Sequence, residues 1–226
     1  MKQDILKFNF KFKSKEFFVT EKNIFAYDFI NKWPNWEQQF VYIYGPIKCG
    51  KTSIAKLWKE KCNAIYVSIE NFDKLLPKDL DIDYIKNKNW ILDDVDKLIN
   101  NENDYISTKI LNLINIMKDN ANACLLMTAT NAPKYIGCDL EDLTSRLSSS
   151  IVLEISNPDQ ELIYKIIDKY LNDRNIYLSK RNLKYISDRV ERSYESALKI
   201  AQKIDLHSLE TKSKISMYFL RSLFDN

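Results

Sequence analysis

The stretch Phe40-Val41-Tyr42-Ile43-Tyr44-Gly45-Pro46-Ile47-Lys48-Cys49-Gly50-Lys51-Thr52-Ser53 decides the fold. A short β-rich run ends at Gly45, and the next residues have the phosphate-loop spacing Gly-x-x-x-x-Gly-Lys-Thr. From Thr52 to Lys61 the pattern turns helical, with Ile54, Leu57 and Trp58 on one face. Strand, glycine loop and helix in this order aim backbone N–H groups and a helix N-terminus at an anion. Gly45 and Gly50 permit the loop geometry, Lys51 supplies charge for the β/γ-phosphate oxygens, and Thr52 offers a hydroxyl to Mg²⁺. Pro46, Ile47, Lys48, Cys49 and Ser53 complete the candidate cradle. The chain has only three glycines, and two of them are here.

Outward from the loop, further apolar segments alternate with helical ones. Ala64–Ile69, Trp90–Leu92, Ala123–Met127 and Ile151–Ile155 read as strands, and Asn23–Lys32 and Tyr105–Met117 as helices. Strands alternating with helices predict a parallel α/β sheet. Trp90-Ile91-Leu92-Asp93-Asp94 is an apolar strand ending in two carboxylates. That pattern assigns Asp93 to a Mg²⁺-bound water and Asp94 to the attacking water. After Ile155 the pattern is helical only. Asn157-Pro158 followed by Gln160 predicts an N-cap, a proline at the first helical position and a capping-box partner. The expected organisation is an extended tail over 1–12, an α/β base over 13–156 and a helical lid over 157–226.

Composition narrows the class. The chain has 226 residues, 45% of them hydrophobic, and a formal net charge of +3, which fits a globular fold and excludes a low-complexity scaffold. Six lysines against Asp4, Glu16 and Glu21 make residues 1–22 basic, and the remainder is balanced. A neutral body argues against a dedicated duplex-binding face. No apolar run nears the ~20 residues of a membrane span, and Met1-Lys2-Gln3-Asp4 begins no signal-peptide core, which predicts a cytoplasmic protein without membrane partners. Cys49, Cys62, Cys124 and Cys138 form no CxxC pair and read as reduced thiols. Cys49 reads as a space-filling residue of the loop and His207, the single histidine, as a lid surface residue.

Beyond the individual motifs, their order carries a resemblance. The P-loop and Asp93-Asp94 are followed by Leu126-Met127-Thr128-Ala129-Thr130-Asn131-Ala132-Pro133, then Leu143-Thr144-Ser145-Arg146-Leu147, then the helical segment. This order resembles the AAA+ module of the bacterial DnaA/Hda family. Phe17-Phe18-Val19-Thr20-Glu21-Lys22-Asn23 is similar to the family's adenine-side box, and Trp33-Pro34-Asn35-Trp36 resembles the short Hda-type members. The resemblance implies an AAA+ fold binding ADP or ATP with Mg²⁺, and it places Val19 and Asn23 at the adenine. It puts Thr130 at sensor 1 with Thr128 as the alternative, Arg146 at the arginine finger, and Arg192 at sensor 2, where Glu191-Arg192-Ser193 opens the third lid helix.

Arginine is scarce, six against 28 lysines, and a planar guanidinium grips phosphate bidentately where Lys is a point charge. Gln3-Asp4-Ile5-Leu6-Lys7-Phe8 is similar to the family's clamp-binding hexapeptide. Gln3 would anchor it, and Leu6 and Phe8 would enter an apolar groove on the DNA polymerase sliding clamp. Lys48 stands where many such loops have a third glycine, and Asp94 where similar enzymes more often have Glu, which predicts a slow hydrolase or a nucleotide-held switch. The lid segment runs to Asn226 and carries no basic patch, which predicts no dedicated DNA-binding domain. The resemblance therefore implies a regulator that acts on DnaA, with homo-oligomers also compatible. The alternative is a stand-alone ATPase such as a helicase loader, or another DnaA-like adaptor.

Overall fold

The computed structural model describes residues 19, 21–76, 82–85, 88–99, 104–119, 123–211 and 214–225. The candidate clamp-binding residues Gln3, Leu6 and Phe8 lie outside them.

Five strands, β1 (Phe40–Tyr44), β2 (Ile65–Val67), β3 (Trp90–Leu92), β4 (Leu125–Ala129) and β5 (Ile151–Glu154), form one sheet in the order β2-β3-β4-β1-β5. Every pairing is parallel. Helices α1 (Ile24–Asn31), α2 (Lys51–Cys62), α3 (Phe72–Leu75), α4 (Ile82–Ile85), α5 (Val95–Ile99), α6 (Asp104–Lys118) and α7 (Glu141–Ser148) accompany the strands. Four more follow β5: α8 (Gln160–Asn172), α9 (Lys180–Ser187), α10 (Tyr194–Thr211) and α11 (Met217–Ser222).

The inner strands are apolar apart from Thr128 near the end of β4 and the tyrosine hydroxyls of β1, because both faces of the sheet are covered. Successive residues alternate between the two sides. Val41, Ile43, Ile91 and Leu126 pack with Ile54, Ala55 and Trp58 of α2 and with Ala26 and Ile30 of α1. Tyr42, Trp90, Leu92, Leu125 and Met127 pack with Leu113 of α6 and with Leu143 and Leu147 of α7. Trp58 is fully buried, and Trp36 stacks on it with ring centroids 4.8 Å apart while donating its indole N–H to the Phe29 carbonyl at 3.0 Å. The Trp33–Trp36 turn thus clamps α2, the helix that begins at the phosphate loop. A third cluster joins Leu162, Ile163, Ile166 and Ile167 of α8 to Leu183 and Ile186 of α9 and Ala197, Ala201 and Ile204 of α10. Burying each large apolar side chain stabilises the fold by about 1.5–3 kcal/mol.

Local details depart from the sequence reading in three places. β2 stops at Val67 because Ser68 turns the chain, its N–H donating to Asn71 Oδ1 at 2.7 Å in a capping box over Ile69–Asn71. β4 begins at Leu125, because the Cys124 N–H is taken by the Asn89 side chain at 3.0 Å, and it continues to Ala129, two residues beyond the expected end, because Thr128 and Ala129 still pair with Ile43 and Tyr44 of β1. The N-cap of α8 is Asp159, not Asn157. Its carboxylate accepts the Leu162 N–H at 2.8 Å, and a negative charge suits a helix N-terminus better than an amide. Gln160 pairs with Asp188 instead of closing a capping box. His207 is half-buried, stacked on the Phe219 ring with centroids 3.5 Å apart.

Candidate nucleotide site

The loop between β1 and α2 is built so that side chains stay out of its centre. A Cβ on Gly45 would lie 2.0 Å from the Ile155 carbonyl oxygen and 3.0 Å from Cys49 Sγ, so this position excludes every residue with a side-chain carbon. Gly50, at φ 106°, is the N-cap of α2 and supplies no capping side chain. The first turn of α2 thus presents N–H groups without a side-chain cap, a favourable seat for an anion. Lys48 takes φ 64°, the left-handed conformation that suits glycine and costs an L-residue about 1–2 kcal/mol. The sequence departure at this position is therefore a backbone strain.

Lys51 is buried, and its ammonium donates to the carbonyls of Gly45 at 2.7 Å and Pro46 at 2.8 Å. An ammonium has three donors, so two brace the loop and one remains for a phosphate oxygen. Cys49 is buried, and that burial raises its thiol pKa, as expected of a space-filling residue. Pro46, Ile47, Lys48 and Ser53 lie on the exposed side of the loop.

Parallel pairing sets the next residues beside this loop. Tyr44 pairs with Ala129 and Leu92 with Met127, so the carboxyl ends of β1, β4 and β3 meet at one edge of the sheet, the usual ligand edge of an open α/β fold. Asp93 is buried there. It accepts from Thr128 Oγ1 at 2.6 Å, from Thr52 Oγ1 at 3.0 and 3.3 Å, and from the Tyr66 hydroxyl. Burial, and then the Asp93 carboxylate, push the Tyr66 phenol well above its ordinary pKa.

Asp94 has φ 56°, and its N–H donates to Thr128 Oγ1 at 2.9 Å. Its carboxylate is bound by the Lys97 ammonium at 2.5 Å, and the hydrogen bond raises the Lys97 pKa. Thr128 therefore links both carboxylate residues from the fully buried end of β4. Thr130, just past β4, donates its N–H to Asp96 Oδ2 at 2.9 Å, and the Tyr42 hydroxyl donates to the Asn131 carbonyl at 2.9 Å. Both threonines are in the edge, one behind Asp93 and the other in the loop beyond it.

The remaining candidates are spread around this centre. Val19 is half-buried and Asn23 buried. The segment is held beside β5 by the Ser156 N–H, which donates to the Lys22 carbonyl at 3.3 Å. Arg192 is exposed in the turn before α10, not within the helix. At the first position of α10 Tyr194, which the sequence reading passed over, lies beside the loop. Burial raises its phenol pKa well above the ordinary value, Cys49 and Asp159 add to this, and the Asn23 side chain opposes it. Its buried hydroxyl forms no hydrogen bond of good geometry among the described residues. Arg146 is half-exposed on α7, three residues after the buried Leu143. Among the described residues no hydrogen bond or ion pair holds its guanidinium.

With the geometry in place, the relatives fit it. The profile of the ATPase family associated with various cellular activities (AAA) matches residues 41–155, half of the chain. The chain belongs to the AAA family. This AAA chain is similar to an uncharacterised protein of Haemophilus influenzae, 23% identical over 93% of this chain and 92% of that one. It is also 24% identical to the chromosomal replication initiator protein DnaA of Buchnera aphidicola, over 96% of this chain but only 53% of the initiator. The AAA chain thus spans about half the length of that DnaA. Its fold matches domain III of Thermotoga maritima DnaA with a TM-score of 0.77 at 20% identity, covering 92% and 93% of the two chains. It also matches Aquifex aeolicus DnaA bound to AMPPCP with a TM-score of 0.71 at 21% identity, covering 87% and 66%. The AAA+ α/β architecture with DnaA relatives agrees with the resemblance read from the motif order. Among the described residues no helix is long and apolar enough to cross a membrane.

Proposed function

We propose that this AAA chain is a nucleotide-holding regulator of DNA replication initiation of the Hda type, acting on DnaA. The base ends and the lid begins near residue 156, in the connection between β5 and α8. Gly45–Ser53 hold the phosphates of ADP or ATP, with Lys51 facing them and Val19, Asn23, Thr130 and Arg192 lining the rest of the pocket. Thr52 and Asp93 hold Mg²⁺, which when bound neutralises phosphate charge. The cradle fits such a ligand: a Cβ on Gly45 would collide with its wall, the α2 N-terminus has no side-chain cap, and Lys51 has a donor to spare. Asp94 is the candidate for orienting water, but the Lys97 ion pair at 2.5 Å occupies its carboxylate. That contact favours a slow hydrolase over a fast one.

The observation that carries the regulatory reading is Arg146. A half-exposed arginine whose guanidinium has no partner among the described residues stands on α7 of a molecule whose own phosphate cradle is already furnished. Such a group suits charge developing on a nucleotide held by a neighbouring subunit, here DnaA. Gln3, Leu6 and Phe8 tether the protein to the sliding clamp in this reading. The test is phosphate release from ATP-loaded DnaA in the presence of DNA-loaded clamp. Wild-type protein should accelerate it and Arg146→Ala should not. No acceleration by the wild type would overturn the regulatory reading and favour a stand-alone ATPase such as a helicase loader.

A further inference from the structure

Three hydroxyls converge on the Asp93 carboxylate, and one of them belongs to no motif of the chain. Thr52 follows the P-loop lysine and Thr128 lies at the end of β4. Tyr66 is a strand residue of β2, paired with Ile91 of β3. Its hydroxyl donates to Asp93 Oδ2, while Thr128 Oγ1 donates to Oδ1 at 2.6 Å. The two bonds therefore hold opposite oxygens of one carboxylate and fix its rotation. Thr52, the residue read as a metal ligand, makes the longer contacts, 3.0 Å to Oδ2 and 3.3 Å to Oδ1.

A carboxylate has about four lone-pair sites. When the Thr52 hydroxyl turns away, sites become free while Tyr66 and Thr128 keep their grip. Tyr66 is itself well fixed. Its carbonyl accepts from the Asn71 amide at 3.2 Å, and the Lys59 ammonium lies 5.5 Å from its ring centre.

We propose that Tyr66 is a positioning residue for the divalent cation that accompanies the nucleotide, acting only through Asp93. It holds the carboxylate aimed at the phosphate loop and does not itself touch nucleotide. The inference rests on the nucleotide reading of the site. Partners that hydrogen-bond a ligating carboxylate set its orientation, and losing one typically costs about 10–100-fold in metal affinity.

The experiment is equilibrium binding of a fluorescent ADP analogue to the full chain, titrated with MgCl₂ and repeated in EDTA. Tyr66→Phe keeps the ring and its packing and removes only the hydroxyl. It should bind the analogue in EDTA as the wild type does, while the Mg²⁺ concentration giving half of the Mg²⁺-dependent gain rises about 10–100-fold. Tyr66→Leu, which also removes the ring, should shift the Mg²⁺ midpoint by the same factor. An unchanged Mg²⁺ midpoint in Tyr66→Phe, or an equal loss with and without Mg²⁺, would overturn this inference alone. Failure of the wild type to bind the analogue at all would overturn the nucleotide reading and this inference with it.

Discussion

At the carboxyl edge of the sheet Asp93 is enclosed by Thr52, Tyr66 and Thr128, whereas the Arg146 guanidinium on α7 has no hydrogen bond or ion pair among the described residues. Both are charged, and both belong to the proposed mechanism. They differ in where their ligand is. A group that serves a pocket of its own chain gains from being fixed in advance, because preorganised dipoles need no rearrangement when the ligand arrives. A group that serves a nucleotide on another molecule is better left unpaired, since breaking a charged hydrogen bond at docking costs about 1.5–3 kcal/mol. Satisfaction of the polar groups thus separates the two halves of the proposed machinery more clearly than their position along the chain.

Substitutions sharpen or break this contrast. The largest effect belongs to Arg146→Ala. Stimulated hydrolysis by ATP-loaded DnaA should fall by about 10³–10⁵, the range of known fingers, while the thermal midpoint of the variant stays that of the wild type. Arg146→Lys should rescue poorly because one ammonium cannot form two directed bonds. A large drop in the melting temperature of Arg146→Ala would mean that the arginine is structural, and the contrast would fail.

Lys51→Ala comes next. It removes the buried ammonium that braces Gly45 and Pro46 and faces the phosphates, so ADP affinity should fall by about 100-fold, a loss of about 2.8 kcal/mol. Isothermal titration reads it directly.

Thr128→Val replaces the hydroxyl linking Asp93 to the Asp94 N–H. Leaving buried polar groups unpaired should cost about 1–3 kcal/mol of stability, measured by urea unfolding. A neutral result would show that the hydrogen bonds around Asp93 hold little together. The smallest effect is Lys48→Gly. It relieves the left-handed strain at φ 64° but adds chain entropy to the unfolded state, so a gain of about 0.5 kcal/mol is expected in the same assay.

Much of the fold was legible because its signals are local. The strand at Phe40–Tyr44 and the helix that follows the loop are fixed by apolar periodicity and by the glycine spacing. The third strand, Trp90–Leu92, coincides with its apolar run. Less legible were features that depend on contacts distant in sequence. Tyr66 reads as an ordinary strand aromatic until β2 is paired with β3 and its hydroxyl meets Asp93. Tyr194 carries no local signal, and only the placement of α10 brings it beside Cys49 and Asn23.

The start of β4 was misplaced because the side chain of Asn89, 35 residues away, takes the Cys124 N–H. The cap at Asp159 had a sequence signal, an acidic residue directly before the helical run, but the Asn157-Pro158 pair masked it. Arg192 illustrates the remaining difficulty. Sequence places it in the segment that opens the third lid helix, yet the structure shows an exposed turn residue ahead of α10, two positions before the Tyr194 that lies beside the loop.

The central claim is that one charged cluster serves nucleotide in this chain and one arginine serves nucleotide elsewhere. Equilibrium titration of a fluorescent ADP analogue into wild type, Lys51→Ala and Arg146→Ala tests it in a single experiment. The account predicts wild-type affinity for Arg146→Ala and a loss of about 100-fold for Lys51→Ala. Equal affinities for wild type and Lys51→Ala, or a comparable loss in Arg146→Ala, would contradict it.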